Sequence, residues 1–122
     1  MKYKPVMEFC KCIFFLLLCF SLPAQSFVEG EKLLKSNRPV DAIPYFQSAL
    51  TEEPINPLTW TYLGTCYFQL GQTQEALDTF LLGTQKSGTN KRALYFNAGN
   101  MSFVLGDYKK AEQYYSIAVT AD

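Results

Sequence analysis

A period of about 34 residues runs through the 122-residue chain and leaves it few folds to choose from. Gly30, Ala42, Phe46 and Ala49 recur 34 residues later as Gly64, Ala76, Phe80 and Gly83, and 35 residues after those as Gly99, Ala111, Tyr115 and Ala118. Self-similarity at this period marks stacked supersecondary units, each too small to bury its own apolar face. Within each copy, apolar residues recur at helical spacing on both sides of a breaker, which is Asn37, Gly71 or Gly106 in turn. The pattern predicts an all-α stack of three antiparallel helix hairpins over 25–122, with copies at about 23–56, 57–91 and 92–122.

Local signals place the helix ends. Asn56 is positioned as a cap, with Pro57 in the first helical position, where its missing N–H would have had no partner anyway. That helix is expected over 58–70. Thr73 is the expected cap of the next one, with Glu75 and Asp78 near the positive end of its dipole, and Ser87-Gly88 ends it near Lys86. Thr89-Asn90 is expected to start the third copy's first helix and Asp107 its second; the first copy starts near Ser26 and turns at Asn37-Arg38-Pro39. Pro44 conflicts with the pattern, because inside a helix it removes a donor and pushes Ile43 out of helical geometry. Either that helix begins late, with Asp41 as its cap, or it is kinked.

Trp60, Leu63, Gly64, Tyr67, Ala76 and Phe80 stand at the spacing W-x2-L-G-x2-Y followed by A-x3-F, and so resemble the tetratricopeptide-repeat signature. The third copy keeps the phase with Tyr95, Ala98, Gly99, Ser102, Ala111 and Tyr115, matching less well at Ala98 and Ser102. The family's closing proline is matched by Pro54 in the first copy, and Gly88 takes its place in the second. The resemblance implies a short right-handed solenoid whose first helices line a concave groove, and a non-enzymatic role as a scaffold that binds a protein or peptide partner.

On that resemblance the groove residues are Phe27, Glu31, Lys35, Thr61, Thr65, Phe68, Gln69, Phe96, Asn100 and Phe103. Their aromatics and amides suit an extended peptide, although Phe27, Phe68 and Phe103 are equally suited to packing between repeats. One subtype of the family captures a C-terminal carboxylate with Lys, Arg and Asn side chains. The matching places here hold Phe27, Glu31, Tyr62, Ala93 and Asn97, none of them cationic, so that mode is disfavoured.

The first 24 residues differ in kind. Lys2, Lys4 and Lys11 precede the apolar run over 13–20, and the segment closes on Leu22-Pro23-Ala24, the three-part layout of a signal peptide. The run is too short for a spanning helix, which needs roughly 20 apolar residues. Export to a bacterial periplasm or cell envelope is therefore expected, with membrane contact only through an uncleaved leader. Cys10, Cys12 and Cys19 all fall in this segment, which leaves Cys66 without a disulfide partner and reads it as a core hydrophobe.

Chemistry finds little purchase. The chain has no histidine, the only thiol beyond the leader sits mid-helix, and the adjacent carboxylates Glu52-Glu53 and the pair Glu29 and Glu31 read as solvated helix surface. No glycine spacing suits a phosphate, no metal site or cofactor is expected, and 11 basic against 11 acidic residues give nucleic acid no footprint. The repeat pattern stops at Asp122, where a further repeat or a polar capping helix is expected. The edge near Ile117 and Val119 is thus expected to be open and available for self-association.

Overall fold

The three breakers close their helices in one and the same way. Asn37, Gly71 and Gly106 hold φ of 58°, 76° and 83°. Each donates its N–H three residues back, to the carbonyls of Leu34, Phe68 and Phe103, while the next residue donates five back, to Leu33, Tyr67 and Ser102. This paired bonding satisfies carbonyls that a helix end leaves orphaned, and it requires the left-handed conformation that glycine and asparagine adopt most readily.

The computed structural model describes residues 25–121; the expected signal peptide and Asp122 lie outside the described residues. Six helices and no strand occur among them: α1 over 25–35, α2 Pro39–Glu52, α3 Pro57–Gln69, α4 Thr73–Lys86, α5 Arg92–Val104 and α6 Tyr108–Thr120. From α2 onward each helix packs on the next, and α3 also touches α5, so the first helices of successive hairpins form a continuous layer. None of these helices is long and apolar enough to cross a membrane.

Within the hairpins the core is built on rings meeting residues without side chains. A Cβ on Gly64 would lie 2.3 Å from a ring atom of the buried Phe80, and one on Gly99 would lie 2.6 Å from Tyr115. Phe27, Phe46 and Tyr62 form a three-ring cluster with centroids 5.6 to 6.0 Å apart, which ties α1 and α2 to α3. Trp60 is buried and donates its Nε1–H to the Pro54 carbonyl at 2.7 Å, fixing the link from α2 into α3.

Three local expectations are corrected. The α2 helix neither begins late nor uses Asp41 as its cap: it starts at Pro39, with Arg38 in the cap position and bonded to Asp41 at 2.9 Å. Pro44 is contained within the helix. It sits in the second turn on an exposed face, so the carbonyl it deprives, that of Val40, belongs to an exposed residue that water can serve. Thr73 is the first helical residue rather than the cap, because the turn through Gly71 brings Gln72 into the cap position. Helix α5 starts at Arg92 instead of at Thr89-Asn90, since Asn90 at φ 60° has left the geometry of a cap. By contrast, Asn56 accepts from Leu58 N at 3.0 Å and Asp107 from Lys110 N at 3.1 Å, both as expected.

Candidate peptide-binding groove

The first helices α1, α3 and α5 carry the residues expected to line the groove, and the structure distributes them over four settings. Thr65, Phe68, Asn100 and Phe103 come together on a cleft of about 390 Å³ between α3 and α5. Phe27 is half-buried in the three-ring cluster, and Phe96 faces an apolar hollow at the α5–α6 end of the stack. Glu31, Lys35, Thr61 and Gln69 lie off the cleft wall.

Hydrogen bonding inside the helices decides which polar atoms are free for a ligand. Thr61 and Thr65 donate their hydroxyl protons to the carbonyls four residues earlier, Pro57 at 2.9 Å and Thr61 at 2.8 Å. Their oxygens therefore remain only as acceptors. Lys35 lies 2.9 Å from Glu31. The hydrogen bond and charge of Glu31 hold its ammonium above the usual lysine value. Asn100 accepts from the Tyr115 hydroxyl at 2.7 Å through Oδ1, which turns its amide nitrogen away from that bond.

Asn97, Met101, Val104, Phe80 and Tyr115 complete the cleft. Sequence comparison of the copies carried a signal for Tyr115, which adds a hydroxyl where the earlier copies have Phe46 and Phe80. Asn97 carried one as well, standing at a place that the carboxylate-capturing subtype uses, whereas Val104 carried none, because its place on the wall depends on how far α5 turns against α3. Among the nine lining residues none is charged. Phe68 is 45% exposed and Phe103 57%, and Phe103 leans edge-on against Tyr108 with centroids 5.1 Å apart.

No group of carboxylate, histidine or thiol ligands able to hold a metal occurs among the described residues. Cys66 is fully buried in the core, and burial pushes its thiol up to about 11 from 9.0. A thiol raised in the folded state favours folding only while protonated. Its contribution is intact below about pH 9 and should fade as pH rises toward 11, by about 2–3 kcal/mol. Denaturant titrations across that range should show a steeper alkaline loss in the natural chain than in Cys66→Ala, and equal slopes would mean that the thiol is hydrated.

Residues 33–95 match the family described as tetratricopeptide repeat, and residues 93–122 match a second model of the same description. Comparison with curated proteins gives no match. Solved structures share the fold: the first TPR domain of human RPAP3 superposes with a TM-score of 0.73 at 20% identity, covering 82% of this chain and 78% of that one. The second TPR of Spaghetti (RPAP3), bound to the HSP90 peptide SRMEEVD, gives 0.73 at 15% identity, with 83% and 93% covered. The TPR domain of Arabidopsis FLU gives 0.70 at 18% identity, with 82% and 93% covered.

Proposed function

Because the chain belongs to the tetratricopeptide-repeat family, whose fold serves as a module for contacts between proteins, we propose that it is a non-enzymatic scaffold holding a protein or peptide partner in its groove. One observation carries this: Phe68 and Phe103 stand exposed on an uncharged cleft with the Asn100 amide beside them. Large rings left in water around a hollow are what a partner covers to advantage.

The peptide-bound neighbour supports a peptide as the ligand class. Its ligand's acidic character does not transfer, since SRMEEVD carries two glutamates and an aspartate and the one groove lysine here, Lys35, is already held by Glu31. The lysines and apolar run of the first 24 residues favour work in a bacterial periplasm or at the cell envelope, with the membrane touched only by an uncleaved leader.

A crosslinking pull-down from intact cells tests the groove. The double variant Thr65→Lys, Asn100→Lys places two cations on the cleft and should lose a specific partner that the natural chain captures, with an unchanged circular dichroism spectrum. An identical set of partners would count against the groove.

A second use of the molecule is self-association through the α5–α6 end. There Phe96 and Val119, the latter 79% exposed, border an apolar hollow of about 710 Å³, while Ile117 lies off it. Sedimentation of the natural chain and of Phe96→Glu, Val119→Glu separates the two: this variant should dissociate an assembly yet retain the captured partner if the groove is what binds it.

A further inference from the structure

Three equivalent positions, one per repeat, run across the first helices as Glu31, Thr65 and Asn100. The first is ion-paired to Lys35 and the second donates its proton to Thr61, so only the third offers hydrogen-bond donors outward. Asn100 takes its orientation from a substitution found in this repeat alone. Tyr115 stands where Phe46 and Phe80 stand, and its hydroxyl occupies Asn100 Oδ1 at 2.7 Å, leaving the two Nδ2 hydrogens with no partner among the described residues. Around that amide the other eight cleft residues supply four aromatic rings, Met101, Val104, the Thr65 hydroxyl and the Asn97 carboxamide, and no charge.

We infer that this cleft, granted that the groove is the working surface, reads an uncharged internal stretch of extended chain. The Asn100 amide donates to a main-chain carbonyl while a large apolar side chain of the ligand seats between Phe68 and Phe103. A main-chain carbonyl needs one donor, and the Asn100 amide supplies it. A terminal carboxylate brought to the same place would shed water with no cation to replace it, which costs far more than a neutral carbonyl does. Asn100 is thus the specificity-determining contact, and Tyr115 is a positioning residue that acts through it.

The probe is a pair of displayed libraries of short random peptides selected on the immobilised full chain, one with peptides fused at both ends and one with free C-termini. Selection should enrich large aliphatic or aromatic residues from both libraries, and a chosen peptide should bind equally well as acid or amide. Asn100→Asp keeps an acceptor for the Tyr115 hydroxyl, removes the outward donors and sets a carboxylate against the ligand's carbonyl in their place; it should weaken that peptide at least about tenfold. Tyr115→Phe restores the ring of the other repeats and should weaken it about threefold, by freeing the amide to rotate. Phe68→Glu should abolish binding. Unchanged affinity in Asn100→Asp with Phe68→Glu still disruptive, or a requirement for an acidic free C-terminus, overturns the inference and leaves the groove standing. Peptides indifferent to Phe68→Glu, or no enrichment at all, overturn both.

Discussion

Trp60→Ala should lower the unfolding free energy by about 4 kcal/mol, the scale at which loss of a buried large aromatic is felt. A domain of this size is held by only about 5–15 kcal/mol, so much of its margin would go. The indole matters at more than one joint. It is buried in α3, its Cβ is so near Gly83 of α4 that a methyl there would lie 2.7 Å away, and Leu94 of α5 closes on the same glycine. Its Nε1–H also holds the Pro54 carbonyl at 2.7 Å. Trp60→Phe retains most of the ring and loses the donor, and should cost about 1–2 kcal/mol. Thermal melts followed by circular dichroism compare the two, since the only tryptophan is the residue removed. A Trp60→Ala chain within about 1 kcal/mol of the natural one would show that the hairpins are not joined through this ring.

Gly64→Ala should destabilise by about 2–3 kcal/mol even though alanine is the better helix former by about 1 kcal/mol. The new Cβ would lie 2.3, 2.6 and 2.7 Å from three atoms of the Phe80 ring, which is 2% exposed and would have to shift to admit it. Gly99→Ala makes a similar first approach, 2.6 Å to Tyr115, yet that ring is only half-buried beside the hollow at the end of the stack and can swing. Helix propensity then offsets much of the clash, and this variant should fall within about 1 kcal/mol of the natural chain. Tryptophan fluorescence in denaturant reads both. Adding Phe80→Leu to Gly64→Ala should recover part of the loss, whereas strict additivity of the two would mean that the glycine and the ring do not meet.

The hairpin stack was legible because one constraint is written three times. Asn37, Gly71 and Gly106 take left-handed backbone in equivalent turns, Gly64 meets the Phe80 ring, and Ala76 is fully buried. Helix starts were less legible where two candidates compete within a few residues. Thr73 has the chemistry of a cap, but the length of the turn after Gly71 gives the place to Gln72; Asn90 adopts positive φ and hands the start to Arg92. Pro44 looked incompatible with an unbroken helix because its cost depends on whether the carbonyl one turn back is exposed, which is a tertiary fact.

The groove was legible by helix and face but not by the state of its polar atoms. Thr65 and Asn100 both look available in the sequence. Only the folded chain distinguishes a hydroxyl engaged by its own helix from an amide held by a tyrosine fifteen residues away. Phe96 shows a related limit, since whether a ring points to a groove or to the end of a stack depends on how α5 turns against α6.

The account rests on the α3–α5 cleft being where a partner sits, and site-specific photocrosslinking in living cells tests that most directly. A photoreactive residue is placed at Phe68 on the cleft in one full-length chain, and at Gln85 on the exposed side of α4 in another. A discrete crosslinked partner from position 68, absent from position 85 and lost when Asn100→Lys is added, is the predicted result. A partner crosslinked from position 85 and not from position 68 would contradict it.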